Sequence, residues 1–137
     1  MTLLRFALGL WLVSCAGCAS GTRIYVRSTE RSNDGNTLYA LVRSVDAKTL
    51  RSHEVYHDVA SKLFADPADA TVLESQPIFP GNPVTFNVSE GEAKDIVLYF
   101  LFTNPGQNWR LPLRAPLPSE VYVDLGDNEI ERVQTRK

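Results

Sequence analysis

The sequence predicts a β-sandwich of seven or eight short strands carrying one inserted amphipathic helix. Three observations lead there. Short runs with apolar residues at alternate positions recur along the chain, each bounded by Gly, Pro, Asn or Asp. Only residues 53–64 switch to helical spacing. The roughly 120 residues that follow an apolar N-terminus make one domain, large enough to bury about two-thirds of its unfolded surface without disulfide staples.

The strands follow in order. Residues 22–27 alternate Ile24 and Val26 with Arg23, Tyr25 and Arg27, the period of a half-buried strand. A polar stretch, 28–36, contains Asn33-Asp34-Gly35-Asn36 and turns the chain. In 37–45, Tyr39, Leu41 and Val45 lie on one side and Leu38, Ala40 and Val42 on the other, so this strand is interior. Then comes the helical segment: Val55, Tyr56, Val59, Ala60, Leu63 and Phe64 form one arc, with Ser52 as the expected N-cap and Asp66-Pro67 as the stop. Residues 72–79 contain Pro77, which belongs on an edge or at a bend. After the turn 80–83, Val84, Phe86 and Val88 alternate again. Residues 96–103 are apolar on both faces and make the best central strand. Short strands at 109–113, 121–125 and 129–133 complete the count.

The N-terminus precedes any of this. Arg5, the apolar run 6–13 and the small residues before a cysteine have the three-part order of an export signal. That run is shorter than the ~20 residues a spanning helix needs. Leu12-Val13-Ser14-Cys15 resembles the lipobox read by the lipoprotein signal peptidase, with Cys18 behind Ala16-Gly17 as the competing site. The expected organisation is a signal peptide at 1–14 (or 1–17), a lipidated tether at 15–22 and a domain at 23–137. Ala16 or Ala19 would follow the modified cysteine, and the lipoprotein resemblance then implies the periplasmic face of the outer membrane. Cys15 and Cys18 are the only cysteines in the sequence, so a thiolate site or disulfide within the domain is excluded.

Charge excludes another class. The formal net charge is −2, no basic run occurs, and removing Arg5 with the signal makes the balance more negative. A phosphate backbone has no positive stripe to bind, so nucleic acid is not an expected partner.

One catalytic motif needs weighing. His53-Glu54-Val55-Tyr56-His57 spells H-E-x-x-H, which on a helix sets two zinc ligands and a general base on one face. A catalytic zinc needs a third protein ligand, the sequence has no third histidine, and only Glu74 is left to propose. The motif is therefore expected to be structural, with no metal or cofactor implied. No Gly-x-Ser-x-Gly elbow or phosphate-cradling loop accompanies it. Asp66, Asp69 and Glu74 are expected in a solvated loop, and Trp109, Tyr122 and Tyr99 in packing roles.

Taken together, the lipobox, the long polar loop after the first strand, Leu38-Tyr39-Ala40-Leu41-Val42-Arg43, Ile78-Phe79-Pro80-Gly81 before Val84-Thr85-Phe86, Leu98-Tyr99-Phe100-Leu101-Phe102 leading to Trp109-Arg110, and Val123-Asp124-Leu125-Gly126 before Asn128-Glu129-Ile130 resemble the TssJ family, the outer-membrane lipoprotein of the type VI secretion system. The resemblance covers nearly the whole domain and departs from the family at the His-Glu-x-x-His segment and just after it. It implies a non-enzymatic anchor whose first long loop docks onto the periplasmic part of an inner-membrane partner, TssM. Carried over by position, that loop is 28–36, and Arg31, Asn33 and Asp34 are its implied contact residues.

Overall fold

The computed structural model describes residues 21–89 and 94–137; the signal segment with Cys15 and Cys18 lies outside them. Eight strands form: β1 Thr22–Arg27, β2 Leu38–Ser44, β3 Val72–Ile78, β4 Val84–Val88, β5 Ile96–Leu101, β6 Arg110–Leu113, β7 Glu120–Leu125 and β8 Ile130–Arg136. They build two four-stranded sheets, ordered β4-β1-β7-β8 and β3-β2-β5-β6. Pairing is antiparallel except between β1 and β7, which run parallel with Ile24 opposite Val121.

Alternation in the sequence becomes the core between the sheets. Ile24 and Val26, Phe86 and Val88, and Val121, Val123 and Leu125 face inward from one sheet. Leu38, Ala40, Val42, Ile78, Ile96, Leu98 and Phe100 meet them from the other. β5 is the central strand its two-sided apolar pattern predicts, since Ile96 to Phe100 are all fully buried. Burying each such side chain stabilises by about 1.5–3 kcal/mol, which is why the interior strands define the fold. Pro77 sits on β3, an edge strand, where its missing N–H leaves no ladder bond unmade.

The helical expectation needs correction. The single helix over residues 53–64 is replaced by two short ones, α1 Ala47–Arg51 and α2 Tyr56–Ala60, both inserted between β2 and β3. Ser52 is the C-cap of α1 rather than the N-cap of a following helix. Asp46 performs the capping, accepting a hydrogen bond from the Thr49 N–H at 2.7 Å. Residues 53–55 belong to neither helix, and Val55 and Phe64, both placed in the apolar arc by spacing, are exposed at 62% and 75%.

The insertion nevertheless covers a hydrophobic surface. Leu50 of α1 and Val59 of α2 close over Leu41, Val45, Val97 and Tyr99 on the outer face of the β3-β2-β5-β6 sheet, a second core distinct from the first. Among the described residues, no helix covers the outer face of the other sheet. Tyr25 and Tyr122 stack there across β1 and β7, with ring centroids 5.0 Å apart. Arg136 lies over Tyr122, and Asp124 bridges Arg27 and Arg132.

Candidate functional site

β1 carries the chain from Gly21 at one end of the sandwich to the 28–36 loop at the other, so the polar loop and the point of chain entry are on opposite ends. The loop does not project freely. Asn33, Asp34 and Gly35 take consecutive left-handed conformations with φ of 53°, 55° and 76°, a turn open only to residues that tolerate that region. This curls Asn33 inward. Its side-chain N–H₂ donates to the Asn36 and Thr37 carbonyls at 3.1 and 3.2 Å, and its Oδ1 accepts from the Thr103 N–H at 2.8 Å. The Asn33 backbone N–H donates to the Asp127 carbonyl at 2.6 Å. One buried residue thereby ties the β1–β2 loop to the β5–β6 connection through its side chain and to the β7–β8 connection through its backbone N–H. The β3–β4 turn joins the same end, where the Gly81 N–H donates to Ser28 Oγ at 3.1 Å. Gly81 has a φ of 89°, and an added Cβ would come within 3.3 Å of the Glu30 side chain.

Of the three residues the resemblance implies for partner contact, two are thus on the surface. Arg31 is exposed and pairs with Asp127 at 2.9 Å. Asp34 is exposed at the tip of the turn. Asn33, at 4% exposure, is the knot beneath them. No apolar period announces such an asparagine; the Asn-Asp-Gly run signals a turn and gives no sign of what its first side chain reaches.

The His-Glu-x-x-His segment resolves differently. His53 and Glu54 lie outside α2, which holds His57, so the three motif side chains do not share a helix face, which corrects that reading. His53 and His57 are exposed. Glu54 turns inward onto the sheet, where Oε1 accepts from Arg43 Nη1 and Oε2 from Arg110 Nε, both at 2.8 Å. The Tyr99 hydroxyl also donates to Glu54 and accepts from Arg43 at 3.1 Å. Arg110 reaches on to the Thr49 carbonyl at 2.7 Å and the Leu50 carbonyl at 3.3 Å, satisfying the C-terminal end of α1, and Arg43 Nε donates to Thr71 Oγ1 at 2.9 Å. Burial pushes the Glu54 carboxyl up, but the hydrogen bonds from Tyr99, Arg110 and Arg43 outweigh it and hold the group below the usual range. Burial, and then the bond to Glu54, push the Tyr99 hydroxyl well above its ordinary value. Three hydrogen bonds, two of them from guanidiniums, thus occupy most of this carboxylate's accepting capacity and hold it as an ion-pair partner. It clamps the helical insertion to β2, β5 and β6. Arg43, a charge inside an otherwise apolar interior strand, is the sequence signal for this cluster.

The remaining candidates separate. Asp69 caps the approach to β3, accepting from Thr71 and from Lys62 at 2.9 Å. Those hydrogen bonds, Thr71 first, draw its carboxyl well down. Glu74 lies on β3 beside Gln76, away from both histidines along the chain. Tyr99 and Trp109 are tilted neighbours at 5.8 Å, and Trp109 also meets Tyr56 edge-on at 4.9 Å; Tyr122 lies on the other sheet. The three aromatics therefore form no common patch.

Comparison with known proteins adds a family and a fold. The family described as IglE, N-terminal domain, matches residues 39–125. No curated protein matches the sequence. Among solved structures, a chain in that of the T6SS protein TssM C-terminal domain from EAEC superposes with a TM-score of 0.61 at 15% identity, over 81% of this chain and 95% of that one. The T6SS lipoprotein TssJ1 from Pseudomonas aeruginosa gives 0.58 at 14% identity, over 87% and 98%. Serratia marcescens Lip, a membrane-bound component of the Type VI Secretion System, gives 0.56 at 15%, over 86% and 99%. Likeness at these identities is likeness of fold.

Proposed function

The chain belongs to the IglE N-terminal domain family, and on that premise we propose that it is an outer-membrane lipoprotein that faces the periplasm and anchors a type VI secretion membrane complex. In this reading the lipid is carried by Cys15 or Cys18, and the distal loops dock onto the periplasmic domain of a TssM-like inner-membrane partner. The observation that carries the reading is the polarity of the sandwich: the tether enters beside Gly21, and the laced loops holding Arg31 and Asp34 stand at the opposite end. A partner reaching from the inner membrane would meet that end first. The fold shared with a lipoprotein of one type VI secretion system and a membrane-bound component of another supports the assignment. The inward-turned Glu54 argues against the competing zinc-peptidase reading, because the motif's base is spent on two guanidiniums.

Co-purification with a TssM-like periplasmic domain tests the docking. Arg31→Ala combined with Asp34→Asn removes the charges of these two exposed residues while keeping a residue that tolerates the left-handed turn, and should weaken capture without unfolding the protein. Palmitate labelling tests the anchor, and Cys15→Ser with Cys18→Ser should abolish it. Undiminished capture by the loop variant would move the contact to another surface. Labelling that survives the double cysteine substitution would refute the anchor.

A further inference from the structure

We infer that the groove beside the point of chain entry is a membrane-contact surface that seats on phospholipid, an inference that rests on the lipoprotein reading above. The groove is open, about 980 Å³, and lies between the β6–β7 connection, Gly21 and the end of β8. Its floor and walls include Pro112, Leu113, Ala115, Pro116, Leu117 and Pro118. Three of these are prolines, which have no backbone N–H to leave unpaired when water is withdrawn. Two further polar groups of the ridge are satisfied from within. The Ala115 N–H donates to Asp95 Oδ1 at 2.8 Å, and the Pro118 carbonyl accepts from Thr22 Oγ1 at 2.7 Å. Arg114 and Lys137, both exposed, are the charged residues of the lining, and both are cationic. An apolar ridge with a cationic rim suits the boundary between acyl chains and phosphate headgroups.

Chain length selects the membrane as occupant. Fully extended, the chain from Cys18 to Gly21 spans at most about 11 Å, and from Cys15 about 22 Å. A domain of this size has a radius of gyration of about 13 Å, so its diameter exceeds the longer tether. The entry end is therefore held within about 22 Å of the lipid whichever cysteine carries it, and the groove is part of that end because Gly21 and Thr22 help to line it. The polar loops around Asn33 are held at the far end of β1, away from the bilayer.

The test uses the full lipidated protein in vesicles of phosphatidylethanolamine and phosphatidylglycerol, made with or without brominated acyl chains, which quench tryptophan at short range. A reporter tryptophan is placed at Leu117, and separately at Pro112, an exposed position on the edge strand β6, so that a folding defect at one leaves the other readable. Asp34→Trp is the distal control, and native tryptophans contribute equally to all three. The added emission of L117W and P112W should be largely lost in brominated vesicles, while that of D34W persists. Flotation is measured on the same samples. Protein that floats with the vesicles but shows no quenching at 112 or 117 overturns the membrane-contact surface and leaves the anchor standing. Protein that does not float overturns the anchor, and the surface with it.

Discussion

Replacing Glu54 by Gln separates a structural clamp from a catalytic base. The carboxylate sits between Arg43 and Arg110, whose side chains are 8% and 16% exposed, and is itself 13% exposed. Loss of one member of a buried ion cluster costs about 3–5 kcal/mol because the partner charges remain in place. Here the guanidiniums keep other partners, Thr71 for Arg43 and the Thr49 and Leu50 carbonyls for Arg110, and Gln can still accept one hydrogen bond. The cost should therefore be about 2–4 kcal/mol, a fall in Tm on the order of 10 °C for a domain of this size. Urea unfolding followed by circular dichroism reads it as a lower midpoint at unchanged slope. pH supplies an independent check. Because Glu54 titrates lower in the folded state than in the unfolded chain, its stabilisation is present in full above the ordinary glutamate value of about 4.3 and is lost as pH falls through the folded value. The difference between wild type and E54Q should be large at neutral pH and shrink in strong acid. A difference below about 0.5 kcal/mol at neutral pH, within the range of an ordinary surface substitution, would refute the clamp.

Asn33→Ala should destabilise by about 2–3 kcal/mol, since it strands the Thr103 N–H and places a Cβ-only residue at a positive φ; Arg31→Ala should change the urea midpoint little, its pair with Asp127 being exposed. Phe100→Ala removes a fully buried ring from the central strand and should cost about 3–5 kcal/mol, enough to unfold much of the population at moderate temperature. His53→Gln with His57→Gln should leave stability within about 0.5 kcal/mol and unaltered by a chelator, because both rings are exposed; a thermal shift on adding zinc that vanishes in this variant would restore the metal reading.

All eight strands were legible in the sequence, most to within a residue or two at their ends. β1 and β4 follow from alternation bounded by breakers, because side chains on a strand alternate strictly and one face of each must be buried. The edge position of β3 follows from one proline, and the interior position of β5 from apolar residues on both faces. Periodicity failed only in the insertion. There, Val55, Tyr56, Val59, Leu63 and Phe64 match a helix as arithmetic, yet Glu54 lies outside both helices and bonds two arginines that arrive from β2 and β6, 11 and 56 residues away. A helix over 53–64 would have to give up that contact. The loop residue Asn33 makes the same point, since its partners Thr103 and Asp127 lie 70 and 94 residues on. Local pattern alone decides which segments are strands and which side of each faces the core, because those depend on neighbours two or four positions away. Only tertiary structure decides where a polar side chain finds its partners, because a buried carboxylate or amide is stable only against groups that folding itself brings together.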